Sequence, residues 1–395
     1  MHRPKIIHIM SWHPTPENPK LGNFCIRHLE SVAPFSDSVW LKVEESGSKS
    51  RFQIEVEEKA SCRCVTVSIP HAHCKLLGKF LHFKAYQKGF RYVRRHLFRP
   101  ELLHLHVAQN LGLLALYWKW RYRLPYVLSE HSSIYLQHPT ARLKPLWRRV
   151  ANEAACLLPV STLLGNAMRE KGIHAPMEII PNVLNENYLK AFPQGSLSQE
   201  GHSQEAQSQE EGCRPFRLLH VSTLSEVKNF NGILHVMERL QNETGYDFEL
   251  NVVHDFPADG YRQWVQQHNL QEKVHFFGAK NEDELLQFYA KSDALVMFSH
   301  LETFSCTVME AVGVGIPVIA TRTGAIPEML ADGRGIVVEP DEEEAFYNAI
   351  IQLMKNGLPL DVPRQKAYAR TTFSMETVGR RILEVYQKVF FRSSL

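Results

Sequence analysis

Two carboxylates, Glu302 and Glu310, stand eight residues apart in the stretch HLETFSCTVMEAVGVGIPVIATRTGAIPEM that begins at His300. A short polar turn follows Glu302 and leads into an apolar run. Taken alone, the pair has a mundane reading: Glu310 is favoured near the positive end of a helix dipole, and Glu302 is a solvated loop charge. Other side chains able to do chemistry follow short apolar runs elsewhere. His131 comes after PYVLSE, Ser161 after LLPV, Asn182 after EII and Lys228 after LLHVS, while Gly22 follows the run KIIHIM.

The elements that must position these residues alternate in type. Short β-rich runs (KIIHIM, CVTVSI, LLHLHV, PYVLSE, CLLPVS, MEIIPN) alternate with amphipathic segments in the first half. The same rhythm returns in FRLLHVS, ELNVVH, VHFFGA, ALVMFS, PVIAT and GIVVEP. Continuous apolar strands separated by helical patterns predict parallel sheets covered on both faces, hence two doubly wound α/β domains. Ligands bind such sheets at the carboxyl ends of the strands, where the residues above fall, and a cleft between two such domains is the natural site. The boundaries read as 1–193 for a basic N-terminal domain, 194–215 for a low-complexity linker or insertion, 216–373 for the second domain and 374–395 for a final helix. The stretch QGSLSQEGHSQEAQSQEEGCRP has almost no apolar residue with which to offset its ordering entropy.

At 395 residues the chain is long enough for two cores. No window approaches the roughly 18 uninterrupted apolar residues that span a bilayer, and MHRPKIIHIMSWHP has too short an apolar run for a signal peptide. A cytoplasmic location is expected. The seven cysteines form no C-x-x-C pair, so reduced thiols are expected, and HLH at 104–106 and HAH at 71–73 lack a complementary ligand set. The net charge of +3 hides an asymmetry. Residues 1–190 carry 27 Lys+Arg against 14 Asp+Glu, net +13, leaving 18 against 28, net −10, for the rest. Such a basic half suits nucleic acid, an anionic membrane or an acidic ligand.

Together the motifs resemble the GT-B glycosyltransferases of retaining family 4, the glycosyl transferases group 1. SWHPTPENPKLGNF resembles the family's first glycine loop, SEHSSIY its strand-end histidine and HVSTLSEVKNFNGIL its lysine loop. LPVSTLLGNAM with IIPNVLNENY resembles its serine and Pro-Asn pair, and the stretch from Leu301 to Met329 its E-x7-E block. The resemblance implies a nucleotide-sugar donor with no separate cofactor. Glu302 would bind hexose hydroxyls, Glu310 the ribose, and Phe304, Ser305 and Cys306 would open a helix whose N–H groups hold phosphate. Lys228 would stabilise the leaving diphosphate, with Asn229, the helix start or a more distant arginine open as the group that completes the charge balance, and His131, by carbonyl or ring, would steady the sugar. Gly22 would let backbone approach the donor. His28 and His106 are weaker candidates, and Ser161 and Asn182 shape the floor of the site. Thr223 stands where the family usually has an arginine, and HDFPADG replaces its glycine-rich donor turn, leaving UDP, GDP and ADP sugars open. No metal is expected, since Lys228 and the helix start replace a divalent cation.

Between Lys75 and Arg99 the chain carries eight Lys/Arg and no acid, interleaved with Leu76, Leu77, Phe80, Leu81, Phe83, Tyr86 and Phe90. The segment reads either as a packed helix with a solvated basic face or as an interfacial surface on anionic lipid at the inner face of the membrane. No nucleic-acid motif accompanies it. A glycan or lipid-linked acceptor is therefore expected. Two other classes share these residues: a GT-B nucleotide-sugar epimerase, and a non-catalytic nucleotide-binding protein.

Overall fold

The computed structural model describes residues 3–15, 18, 20–46, 52–59, 61–71, 74–136, 143–191 and 214–393. The stretch read as a linker lies outside the described residues, apart from Arg214 and Pro215 at its end. The chain forms two compact units, Met1–Val183 with Met375–Leu395, and Leu184–Ser374.

In the first unit the strands are β1 (Lys5–Met10), β2 (Asp37–Ser46), β3 (Gln53–Lys59), β4 (Cys62–Pro70), β5 (Leu102–His106), β6 (Tyr126–Glu130) and β7 (Cys156–Pro159). They form one sheet in the order β3-β4-β2-β1-β5-β6-β7. The residues of β5, β6 and β7 are buried without alternation, as expected for strands covered on both faces. All pairings are parallel except that of β3, which runs antiparallel to β4 with Gln53 opposite Ser68 and Lys59 opposite Cys62. An all-parallel sheet was expected here; the charged sequence QIEVEEK instead makes an exposed edge whose glutamates discourage further pairing.

The helices of this unit are α1 (Asn23–Val32), α2 (Lys75–Tyr92), α3 (Ala108–Tyr122), α4 (Pro145–Asn152) and α5 (Thr162–Glu170), together with the C-terminal helix Met375–Ser393. That last helix supplies Val378, Ile382, Val385, Tyr386 and Val389 to a core shared with Ile6, Leu102, Val127 and Leu158. It meets α1 at Gly379, where a Cβ would stand 1.9 Å from the Ser31 carbonyl oxygen. Only glycine permits that approach. The run MEIIPN, read as a strand, contributes a single bridge, Met177 to Leu157. Pro176 and Pro181 flank it and cannot donate to a ladder.

The second unit begins at Leu184, ahead of the Ser/Gln/Glu-rich stretch and not after it. The Leu184 amide donates to the Phe373 carbonyl at 2.9 Å, which ties this segment to the unit's far end. Its elements are α6 (Glu186–Lys190), β8 (Phe216–Ser222), α7 (Phe230–Glu243), β9 (Phe248–His254), α8 (Asp259–Gln267), β10 (Val274–Phe277), α9 (Glu282–Lys291), β11 (Ala294–Met297), α10 (Cys306–Val314), β12 (Val318–Thr321), α11 (Ile326–Leu330), β13 (Ile336–Val338), α12 (Glu343–Asn356) and α13 (Val362–Phe373). The six strands are all parallel, in the order β10-β9-β8-β11-β12-β13. Among the described residues no helix is long and apolar enough to cross a membrane.

Candidate functional site

The carboxyl ends of β8, β11 and β12 are neighbours in the second sheet, and the residues that follow them form one hydrogen-bonded network. The ammonium of Lys228, from the loop after β8, lies 2.7 Å from Glu302 Oε1, in the loop after β11. Ser299 donates its hydroxyl to the same oxygen at 2.9 Å. The Glu302 amide donates to Thr323 Oγ1 at 3.0 Å, and the Thr321 hydroxyl donates to the Ser299 carbonyl at 2.6 Å. The Glu302 side chain is 8% exposed and that of Lys228 20%, so the pair is shielded but reachable. A shielded carboxylate needs such hydrogen-bond partners in place of water.

Glu310 lies on the second turn of α10, half-buried. The hydroxyl of the fully buried Tyr289 stands 2.9 Å from its Oε2 and 3.1 Å from the Thr307 carbonyl. Burial first, and then the adjacent Glu310 charge, push the Tyr289 phenol far above its ordinary range, so it stays protonated and donates. Between the two glutamates Ser305 adopts φ 79° and ψ 85°, and no side chain caps α10. A left-handed serine at this point is strained and turns the chain sharply into the helix.

The other expected donor-side residues have different surroundings. Thr223 donates its hydroxyl to Ser225 Oγ at 3.1 Å. Asn229, at φ 47°, caps α7, accepting from the Gly232 amide at 3.3 Å. The Phe304 ring is buried edge-on against Phe373, with centroids 5.9 Å apart, so it holds the loop from below. Cys306 is the half-buried first residue of α10. His220, on β8, accepts from Ser222 at 2.8 Å through Nε2 and donates to the Val296 carbonyl at 3.0 Å through Nδ1. The Ser222 hydroxyl oxygen in turn accepts from the Leu224 amide at 3.0 Å, so this histidine braces the start of the lysine loop.

In the first unit Gly22 is the N-cap of α1 at φ 69°, and a Cβ there would lie 2.3 Å from the Trp12 carbonyl oxygen. The close approach that requires glycine is thus made by the chain itself. His131 follows β6 and is buried, its ring 4.5 Å from that of Phe24 and 5.2 Å from that of His28. The preceding Glu130 accepts from the amides of His131 and Ser132 at 3.0 Å and stands 3.3 Å from the Ala108 amide and the Tyr135 hydroxyl. Burial nevertheless raises its carboxyl to about 7. Ser161 caps α5 by accepting from the Leu164 amide at 3.2 Å.

Five histidines, His8, His28, His104, His106 and His131, are buried together with Cys25. Burial lowers all five, His8 to about 3 and His28 to about 4. His104 Nδ1 is 2.6 Å from the Tyr386 hydroxyl and its Nε2 2.8 Å from Ser129 Oγ, while His8 bridges His106 at 3.3 Å and Ser38 at 3.1 Å. The spacing H-x-H had no ligand partner in sequence; its neighbours come from β1, α1 and the turn after β6. Glu130, Tyr289, Ser299, Thr321 and Thr323 also escaped sequence reading. Nothing local marks a serine that will meet a glutamate across a turn or a tyrosine from another helix.

Comparisons with known proteins agree with the two-domain fold. Residues 203–371 match the family model described as glycosyl transferases group 1, and residues 44–183 match that of the glycosyl transferase 4-like domain. The chain is 29% identical to the N-acetyl-alpha-D-glucosaminyl L-malate synthase of Bacillus anthracis over 35% of its own length and 36% of that protein's. It is 24% identical to the O-antigen chain mannosyltransferase B of Escherichia coli over 43% and 45% of the two lengths, so the matches span less than half of each of these relatives. Among solved structures, sucrose-phosphate synthase from Thermosynechococcus elongatus superposes with a TM-score of 0.74 at 17% identity, covering 98% of this chain and 100% of that one. Anabaena HepE in complex with UDP superposes with a TM-score of 0.73 at 17% identity, covering 97% and 100%.

Proposed function

Because the chain belongs to the glycosyl transferases group 1 family and has the two Rossmann-like units of the GT-B fold, we propose that it is a retaining, metal-independent hexosyltransferase. Its donor is a nucleotide sugar and its acceptor a glycan or lipid-linked glycan in cell-surface polysaccharide or glycoconjugate synthesis. The observation that carries this reading is the Lys228–Glu302 pair at 2.7 Å beside the start of α10, which has no side-chain cap. Such a site offers a cation and N–H groups to a diphosphate and, beside them, a carboxylate to sugar hydroxyls.

In the reaction the anomeric carbon–oxygen bond to the diphosphate breaks, and the nucleoside diphosphate leaves with the bonding pair. The acceptor oxygen forms the new bond and gives up its proton to the departing diphosphate. Lys228 and the α10 amides stabilise the negative charge that grows on the leaving group, which lowers the barrier more than it tightens ground-state binding. Glu302 exchanges one of its partners for hexose hydroxyls. Glu310, oriented by Tyr289, accepts from the ribose.

UDP sugars are the first donors to try, since HepE of the same fold is described in complex with UDP and with UDP-glucose. The lipid-linked acceptor rests on α2. Its first turns turn Leu76 (81% exposed), Phe80 (52%) and Phe83 to solvent at helical spacing, among Lys75, Lys79 and Lys84, while only its later part, Tyr86 and Phe90, is buried. An apolar stripe flanked by cations suits an anionic membrane surface.

A panel of UDP, GDP and ADP hexoses tests the reading, scored for binding, slow donor hydrolysis and the anomeric configuration of the product. Turnover of one donor with retention is the expected result. A released epimer without acceptor identifies an epimerase, and binding without turnover of any donor identifies a non-catalytic protein.

A further inference from the structure

We propose that Cys25, His106 and His131 form a buried site in the first unit for one divalent metal ion of the zinc class. The three side chains come from α1, from the end of β5 and from the turn after β6, and one ligand atom of each lies within 4.8 Å of the others. Bonds of about 2.3 Å to sulfur and about 2.0 Å to nitrogen bring ligand atoms of one zinc ion within roughly 4 Å of each other, a span that small side-chain rotations supply. His106 Nδ1 and His131 Nε2 are buried and make no hydrogen bond. Two such buried nitrogens are costly to leave unpaired, and an ion that takes them as ligands removes that cost.

The surroundings decide which of the neighbouring histidines serve. A second grouping, His8, His104 and His106, is equally compact, but both nitrogens of His104 are engaged by Tyr386 and Ser129 and those of His8 by His106 and Ser38. These residues act instead as outer support. His8 orients His106 through its Nε2 at 3.3 Å, and Asn182 holds His131 by a side-chain hydrogen bond. His28, one helical turn after Cys25, has a buried Nδ1 without a partner and a ring 5.2 Å from that of His131, and offers a fourth ligand.

A divalent ion displaces the Cys25 proton, which leaves to solvent. This ion has no part in holding the diphosphate. It does commit the His131 ring, so that His131 meets a donor sugar through its backbone carbonyl and not through its imidazole.

The test uses the full chain, stripped with chelator and titrated with Co²⁺. Binding of one equivalent with an intense thiolate-to-cobalt absorption band is expected, displaced by Zn²⁺, and Zn²⁺ should raise the thermal midpoint of the stripped protein. Cys25→Ala should remove the band, Asn182→Ala should weaken Co²⁺ binding by about tenfold or more, and Cys74→Ser, at an exposed thiol, should leave the band intact. Absence of the band in the folded wild-type chain overturns the site. So does a band that survives in Cys25→Ala or is lost in Cys74→Ser. Because the wild-type result alone can sink the proposal, a variant that fails to fold does not protect it.

Discussion

Lys228 and Glu302 are separated by 74 positions in the chain and by 2.7 Å in space, and both are largely shielded from water. Removing one partner leaves the other as an uncompensated charge, at a cost of about 3 kcal/mol. Lys228→Ala should therefore lower both stability and turnover, the latter by about a hundredfold or more if its charge balances the leaving group. Lys228→Met combined with Glu302→Gln should recover most of the stability and none of the turnover. Chemical denaturation beside a transfer assay separates the two effects; full activity in the stable double variant would remove the pair from the chemistry.

Tyr289 and Glu310 give a second prediction. If Glu310 accepts from ribose hydroxyls present in ground and transition states alike, Glu310→Ala should weaken binding of the free nucleoside diphosphate by about 1.5 to 3 kcal/mol. Tyr289→Phe, which removes only the hydroxyl that orients the carboxylate, should act in the same direction by a smaller amount. Calorimetric titration with UDP, GDP and ADP reads both, and unchanged affinity in Glu310→Ala excludes the ribose role.

A third concerns acid. His220 is fully buried, and burial lowers its imidazole from 6.5 to about 4, with Lys228 adding to the effect. Between these values the unfolded chain binds the proton and the folded chain does not, so stability falls as pH drops from about 6.5 toward about 4, by ~3 kcal/mol over the window. Since His220 braces Ser222 and Leu224, nucleotide affinity should decline over the same range. His220→Gln should flatten its share of the slope in denaturation curves recorded at successive pH values; an unaltered slope would assign the acid sensitivity elsewhere.

The fourth tests α2. Replacing Lys75, Lys79, Lys84 and Arg91 by Gln removes cations worth about 1 kcal/mol each near an anionic surface and should release the protein from acidic vesicles. Lys88 is spared because its ammonium donates to the Phe52 carbonyl at 2.5 Å. Salt should imitate the substitutions, given screening beyond roughly 8 Å at physiological ionic strength. Co-sedimentation, run beside donor hydrolysis, checks this; equal binding to neutral and acidic vesicles would leave the helix merely solvated.

Much of the fold was legible because buried parallel strands such as LLHLH and YVLSE announce themselves as unbroken apolar runs between helices. The antiparallel strand QIEVEEK was not, since an edge strand buries little and its charges resemble a loop. At the site, Glu302, Glu310 and Lys228 stand at strand ends or helix starts, places that can be read from local pattern. Phe304 was read for its backbone N–H at the helix start; that its ring packs beneath the loop against Phe373 could not be told from sequence. The histidine and cysteine cluster was invisible for a different reason: its members lie on separate strands and a helix, and only the sheet order makes them neighbours.

The chain leaves the first unit at Val183 and re-enters it at Met375, so the second unit is an insertion within the first. During synthesis the inserted unit is complete while the N-terminal sheet still lacks Val378, Ile382, Val385 and Tyr386, and Ser31 still awaits Gly379. The domain made first thus finishes folding after the second, once residues 375–393 have cleared the ribosome. A nonsense mutation that stops the chain just before Met375 would spare every residue proposed here to touch the nucleotide and would still strip the apolar cover from the opposite half of the molecule.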